Sequence, residues 1–213
     1  MAKSYVSNKD ESIPLFKNKW LDKFTYVHPT VPVILYLPVI AFFMRRGLVA
    51  NDFTVAAIVG LFAGGFLLWT LTEYLMHRFV FHFEPKSHWG QYLHHLMHGV
   101  HHDYPNDSRR LVMPPVVSIP LAFFFYGLFT VLIPAVYLPV LFSGFVFGYV
   151  CYDVIHYATH HFPMKGRIGL WLKHHHIRHH YQNPELGYGV SSPLWDVVFG
   201  TTFPEKAQEK SAG

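Results

Sequence analysis

The sequence predicts an all-α, polytopic membrane protein: four transmembrane helices, joined as two hairpins, beneath a helical cytoplasmic cap that is rich in histidine. Three observations carry this. From Leu111 to Tyr152 there is no Asp, Glu, Lys, Arg or His, an uncharged run of 42 residues, whereas a helix crosses the hydrocarbon core in about 20. Seventeen histidines stand among 213 residues, and sixteen of them come after apolar stretches rather than inside them. Of the 17 lysines and arginines, all but Arg45 and Arg46 fall on one side of a four-span topology.

Taken in order, residues 1–29 form a polar lead with Trp20, Phe24 and Tyr26, the composition of a segment lying at the headgroups. The lead is mixed in charge and has no apolar core, so no secretory signal is expected. Pro29 to Met44 is uncharged over 16 residues but holds Pro29, Pro32 and Pro38. A span over about 30–45 is expected there, with a re-entrant or interfacial segment as the competing reading. Phe53 to Thr72 is uncharged over 20 residues, which places a second span at about 53–75. The long uncharged run divides into spans at about 112–132 and 135–152, turning near Pro134 or Pro139. Residues 76–110 and 153–204 then form the cap, and 205–213 a polar tail. The stretch 1–204 is read as a single membrane-integrated domain.

The lopsided distribution of Lys and Arg puts the histidine-bearing side in the cytoplasm. The expected location is a bacterial inner membrane, or the endoplasmic reticulum of a eukaryote. The net charge of +4 is accounted for by this topology and by anionic headgroups, so no nucleic-acid partner is implied. Cys151 is the single cysteine and can form no internal disulfide.

The histidines are spaced, not clustered. His176, His179 and His180 lie three and four residues apart, as do His98, His101 and His102; His156 and His160 are four apart, and His77 and His82 five. Residues three and four apart share a helix face. A five-residue step leaves two rings roughly 140° apart on an ideal α-helix, so His77 and His82 can meet only if the helix ends or distorts between them, which is expected here. Converging imidazoles suit Zn, Cu, Fe or Ni, where carboxylates would suit Mg, Ca or Mn. Ten such histidines are too many for one ion; two ions with about five nitrogen ligands each is the simplest division. His28, His88, His94, His95, His161, His174 and His175 are expected to support, cap or face solvent. His94, one turn from His98, is the one best placed to substitute.

The pattern His77-x4-His82, His98-x2-His101-His102, His156-x3-His160 and His176-x2-His179-His180, set after membrane hairpins, resembles the membrane fatty acid hydroxylase superfamily. The stretches HRFVFH, HGVHHDYPND, RLVMPP, GYVCYDVIHYATHH and LWDVVFGT resemble its fatty acid 2-hydroxylase, or sphingolipid alpha-hydroxylase, branch. The likeness covers roughly Trp69 to Thr202. It implies that the ten histidines hold two metal ions and that O2 is used to place a hydroxyl on C2 of a long fatty acyl chain, free or in a sphingolipid or ceramide. Eukaryotic members often carry an N-terminal cytochrome b5 domain; here 29 residues precede the apolar part, so electrons are expected from a separate donor of cytochrome b5 or ferredoxin type.

An unactivated C–H bond needs an oxidant that no side chain provides. Iron is therefore the metal expected for activity, since zinc has no redox chemistry, although zinc can replace it in isolated protein. Asp153, one turn before His156, and Tyr149, one turn earlier, are the candidates to grip the acyl head; an equal alternative for Asp153 is orienting an imidazole, and for Tyr149 a place in an aromatic belt. Tyr181 and Tyr188 are weaker candidates, and Glu73 reads as a partner of His77 or an interfacial charge. Other oxidases on the same scaffold, such as sterol or carotenoid hydroxylases and acyl desaturases, stay open. A membrane metal-binding or transport protein stays as the lesser alternative, although a transporter would carry ligands near the membrane midplane; a zinc protease would need a His-Glu-x-x-His helix, which is absent.

Overall fold

The computed structural model describes residues 5–204, so the polar tail at 205–213 lies outside the described residues. Within them the chain is helical and holds no strand: α1 Lys19–Lys23, α2 Thr30–Ala50, α3 Val55–Met76, α4 His88–His94, α5 Val100–Asp103, α6 Pro115–Leu132, α7 Leu138–His161, α8 Arg167–Tyr181 and α9 Leu194–Phe199. Two π-helical segments interrupt this order, His77–Phe81 after α3 and His95–Gly99 after α4. Helices α2, α3, α6 and α7 are long and apolar enough to cross a membrane.

The first of these is one continuous helix of 21 residues despite Pro38 in its interior. No re-entrant break occurs, in keeping with the tolerance of membrane helices for proline. It runs past the expected end at 45 because Arg45 and Arg46 sit in its last turns with room to reach water. At the other end of the chain's apolar part, α7 continues nine residues beyond the expected 152. The charged and histidine residues after Tyr152 resemble a boundary in sequence, yet they are the next turns of the same rod.

Connections of a few residues join α2 to α3 and α6 to α7, but the close packing radiates from α7. Fourteen of its 24 residues are buried, which makes it the axis on which α2 and α3 lean. Against α2 the contact is aromatic, Tyr36 edge-on to Tyr149 at 5.0 Å and Phe43 to Phe142 at 4.9 Å. Against α3 it is glycine. A Cβ on Gly65 would lie 1.9 Å from the carbonyl oxygen of Leu141, and one on Gly144 2.1 Å from that of Phe62. Gly144 and Gly148, one turn apart, form the small-residue stripe that lets membrane helices touch backbone to backbone. Helix α6 touches α7 through Phe125 and Phe129 against Phe145 and through Tyr126 against Phe142. Ile34, Phe42, Val59, Phe123 and Val131 point outward, exposed to where lipid lies.

The cap gathers at the end where α3 and α7 finish and α6 begins. The lead is part of it and does not merely rest on headgroups. Backbone N–H groups of Val6 and Ser7 donate to the carbonyl of Asp103 at 2.9 and 3.1 Å. Asp22 at α1 accepts from the Tyr26 hydroxyl at 2.6 Å and lies 3.6 Å from Arg110, which also pairs with Asp107.

Because Gly144 meets backbone that cannot yield, Gly144→Ala is expected to destabilise the detergent-solubilised protein by about 1–3 kcal/mol, read as a lowered Tm. Gly127→Ala, with open space around its Cβ, should leave Tm unchanged, and equal shifts would refute the packing account.

Candidate metal centre

The π turn at His77–Phe81 resolves the five-residue problem. His82 donates its backbone N–H to the carbonyl of His77 at 3.1 Å, the five-residue bond of a π-helix, and the widened turn brings the two Nε2 atoms to 3.2 Å. The distortion expected from the spacing is therefore present. The second π segment delivers His98 to the same place, its Nε2 3.1 Å from that of His77.

All ten expected histidines converge, in two groups of five. His77, His82, His98, His102 and His179 form one; His101, His156, His160, His176 and His180 form the other, with the ligand atoms of each group within 4.8 Å of one another. Residues four apart stay together: His98 with His102, His156 with His160, His176 with His180. The third member of each triad, His101 or His179, crosses to the other group. The triads are thus shared between groups, because an α-helix rotates residues at three and four steps to opposite sides of one face. In the second group His156 Nε2 lies 2.9 Å from His101 Nε2, and His160 Nε2 2.9 Å from His176 Nε2.

Backbone carbonyls fix several of the rings. Nδ1 of His77 donates to the carbonyl of Tyr188, Nδ1 of His156 to Leu111 at 3.0 Å, and Nδ1 of His179 to Leu186 at 2.8 Å. With the proton on Nδ1, each Nε2 presents a lone pair to the centre of its group. Burial keeps the rings uncharged: desolvation, reinforced by neighbouring histidines, pushes His82 down to about 4 and His102 to about 3, and His98, His101, His176, His179 and His180 well below the usual range.

The donor set fits a metal ion in each group. Nitrogens bound about 2.1 Å from one ion at near-right angles stand roughly 3 Å apart, as these do. Facing lone pairs at that distance repel unless a cation lies between them. Imidazole donors without carboxylates select transition metals.

Of the other candidates, Asp153 is buried, with Oδ1 accepting the Met113 N–H at 3.3 Å and its carboxylate beside the Tyr149 hydroxyl one turn earlier on α7. It lines a cavity of about 650 Å³ together with His98, His101 and His156. Tyr149 is also buried, its hydroxyl facing Asp153 and Ser118, and it lines a narrower cleft with Ser118, Phe125 and Phe145. Glu73 does not touch His77 through its side chain; it binds the 190–191 backbone. Tyr181 turns away to Asn8, while Tyr188 serves through its carbonyl. His94 belongs to neither group; His28 bonds Thr30, His95 faces Asp103, His161 stacks on Tyr157 and His175 meets Asp196. His88 and His174 are exposed. Asp196, fully buried in the short apolar α9, is the residue that sequence reasoning missed; an acid inside such a helix was the available signal.

With this geometry in view, the comparisons with known proteins are decisive. The fatty acid hydroxylase family model matches residues 62–201. The chain belongs to the fatty acid hydroxylase family. Within it, a dihydroceramide fatty acyl 2-hydroxylase of Arabidopsis thaliana is 41% identical, the match covering 84% of this chain and 75% of that one. The fatty acid 2-hydroxylase of Rattus norvegicus is 44% identical over 73% of this chain and 42% of its own length, and the ceramide very long chain fatty acid hydroxylase of Saccharomyces cerevisiae 41% identical over 89% and 49%. The chain therefore spans less than half of the latter two. A solved hydroxylase domain of full-length scs7p superposes with a TM-score of 0.83 at 40% identity, covering 90% of this chain and 72% of that one.

Metal analysis of the purified hydroxylase after loading is expected to give two equivalents. His101→Ala and His179→Ala, one from each group, should each lose at least one, whereas exposed His88→Ala should keep both; equal losses in all three would break the grouping.

Proposed function

We propose that the protein is an O2-dependent fatty acid 2-hydroxylase, a membrane monooxygenase that adds a hydroxyl to C2 of a long acyl chain, free or in a ceramide. The observation that carries this reading is the cavity of about 650 Å³ whose wall is mostly apolar yet includes His98, His101, His156 and Asp153. The overall change is RCH2–CO–X + O2 + two electrons + two protons giving RCH(OH)–CO–X + H2O. Bound by the ten histidines, a pair of iron ions would supply the oxidising power that side chains lack; zinc, which has no redox chemistry, would take their place only in isolated protein, without activity.

The chain's own residues then have positional work. The ten histidines hold the two ions. The apolar walls, Leu93, Met97, Val112 and Val117 among them, take up the lipid tail and keep bulk water from the reacting carbon. Met76, Phe81, Met113, Leu121 and Tyr152 border both this cavity and the narrow cleft between α3, α6 and α7, so a tail can extend into the membrane interior. Asp153, which lines the cavity beside the Tyr149 hydroxyl, presents its carboxylate to the amide N–H or carboxyl proton of the acyl head, and Tyr149 lies one turn deeper. With the head held there, C2 is the carbon within reach, because placement decides which bond reacts. Electrons come from a separate donor of cytochrome b5 or ferredoxin type. The excess of Lys and Arg on the histidine side supports a cytoplasmic active site, in a bacterial inner membrane or the endoplasmic reticulum.

Lipid mass spectrometry of a host expressing the chain should reveal acyl groups heavier by one oxygen, the hydroxyl at C2; a hydroxyl elsewhere, or a new double bond, would favour another oxidase on this scaffold. Asp153→Asn is expected to keep both metals and lower turnover about ten- to hundred-fold. Loss of a metal would reassign Asp153 to supporting the centre.

A further inference from the structure

Two buried carboxylates outside the histidine groups converge on one loop. Glu73 on α3 accepts the backbone N–H groups of Val190 and Ser191 at 2.6 and 2.8 Å, and its other oxygen accepts the Ser191 hydroxyl. Asp196 on α9 accepts the N–H groups of Tyr188 and Gly189 at 2.9 and 2.8 Å and the Thr201 hydroxyl at 2.7 Å, and faces His175 Nε2 at 3.1 Å. The loop they pin is the one whose Leu186 and Tyr188 carbonyls receive Nδ1–H of His179 and His77.

The link from Asp196 to His77 is a single peptide unit. A trans peptide is planar, and its N–H and C=O point in opposite directions. Asp196 Oδ2 takes the Gly189 N–H at one end of that plane, and the Tyr188 carbonyl at the other end takes the proton of His77 Nδ1. Asp196 thereby sets which way the carbonyl faces, hence which His77 nitrogen is protonated and where Nε2 aims. The fit is close: a Cβ on residue 189 would lie 2.1 Å from the Ser192 carbonyl oxygen and 2.9 Å from Asp196 Oδ2. In the second histidine group, His156, His160 and His176 make no hydrogen bond to this loop through Nδ1. His156 leans on Leu111, and Nδ1 of His160 and of His176 has no hydrogen-bond partner.

We propose that Asp196, assisted by Glu73, is a positioning residue for the metal of the first group alone, so that the two ions rest on separate supports. The proposal stands on the reading of the histidines as metal ligands. Asp196→Asn keeps the size of the side chain but turns an amide NH2 toward backbone donors, so one of them loses its acceptor.

The test is competition of zinc-loaded full-length protein against a chromogenic chelator, reading the affinity of each of two equivalents. Asp196→Asn is expected to weaken one equivalent at least about ten-fold, the usual cost of losing such an outer partner, and to leave the other unchanged; Glu73→Gln should act in the same direction. Combined with His176→Ala, Asp196→Asn should weaken the remaining tight equivalent by the same factor, and combined with His77→Ala it should have no effect on it. The unaffected ion reports that the fold is intact. Equal weakening of both equivalents, or of neither, overturns the proposal. A wild-type chain that binds no zinc overturns the ligand reading first, before any variant is made, and the proposal with it.

Discussion

The structure depends on holding ten uncharged imidazoles with their lone pairs turned inward. Leaving that many polar rings buried and facing one another is unfavourable, and hydrogen bonding alone cannot relieve it, since three of the Nδ1 protons are already committed to carbonyls of Tyr188, Leu111 and Leu186. A cation in each group would remove the conflict. The surrounding architecture follows from this requirement: π turns rephase His77 and His98, two triad helices are shared between the groups, and the 186–192 loop closes over one side.

The membrane part supplies rigidity. Helix α7 is a single rod from the apolar interior to His161, so His156 and His160 inherit the order of a buried transmembrane helix. Helix α3 brings His77 in the same way and adds a distorted final turn for His82. The narrow cleft lies between α3, α6 and α7, and the site cavity opens beside it, bounded also by Leu15 and Phe24 of the lead and by Leu93 and Met97.

Much of this was legible in the sequence. The spans could be read from uncharged runs, because hydrocarbon excludes charge over a known length, and the histidines from spacings that only helices turn into a common surface. The two groupings were not legible, since steps of three and four share a face and the pattern does not say which edge of it each ring serves. The carbonyl partners at Leu111, Leu186 and Tyr188 leave no trace in side-chain identity. Glu73 reads in the sequence as a partner of His77 or an interfacial charge; its side chain instead reaches a loop more than 100 residues away, whose Tyr188 carbonyl meets His77. The polar lead looked like a headgroup-bound strap; its attachment to Asp103 is through backbone atoms.

The glycine contact between α3 and α7 has a meaning beyond tight packing. Each rod delivers ligands to a different histidine group, His77 and His82 from one, His156 and His160 from the other. Where Gly65 and Gly144 interlock, sliding is blocked, for a shift of one helical turn would be about 5.4 Å. The gap between the two histidine groups is therefore gauged inside the bilayer, by two residues that have no side chain and lie several turns from any histidine.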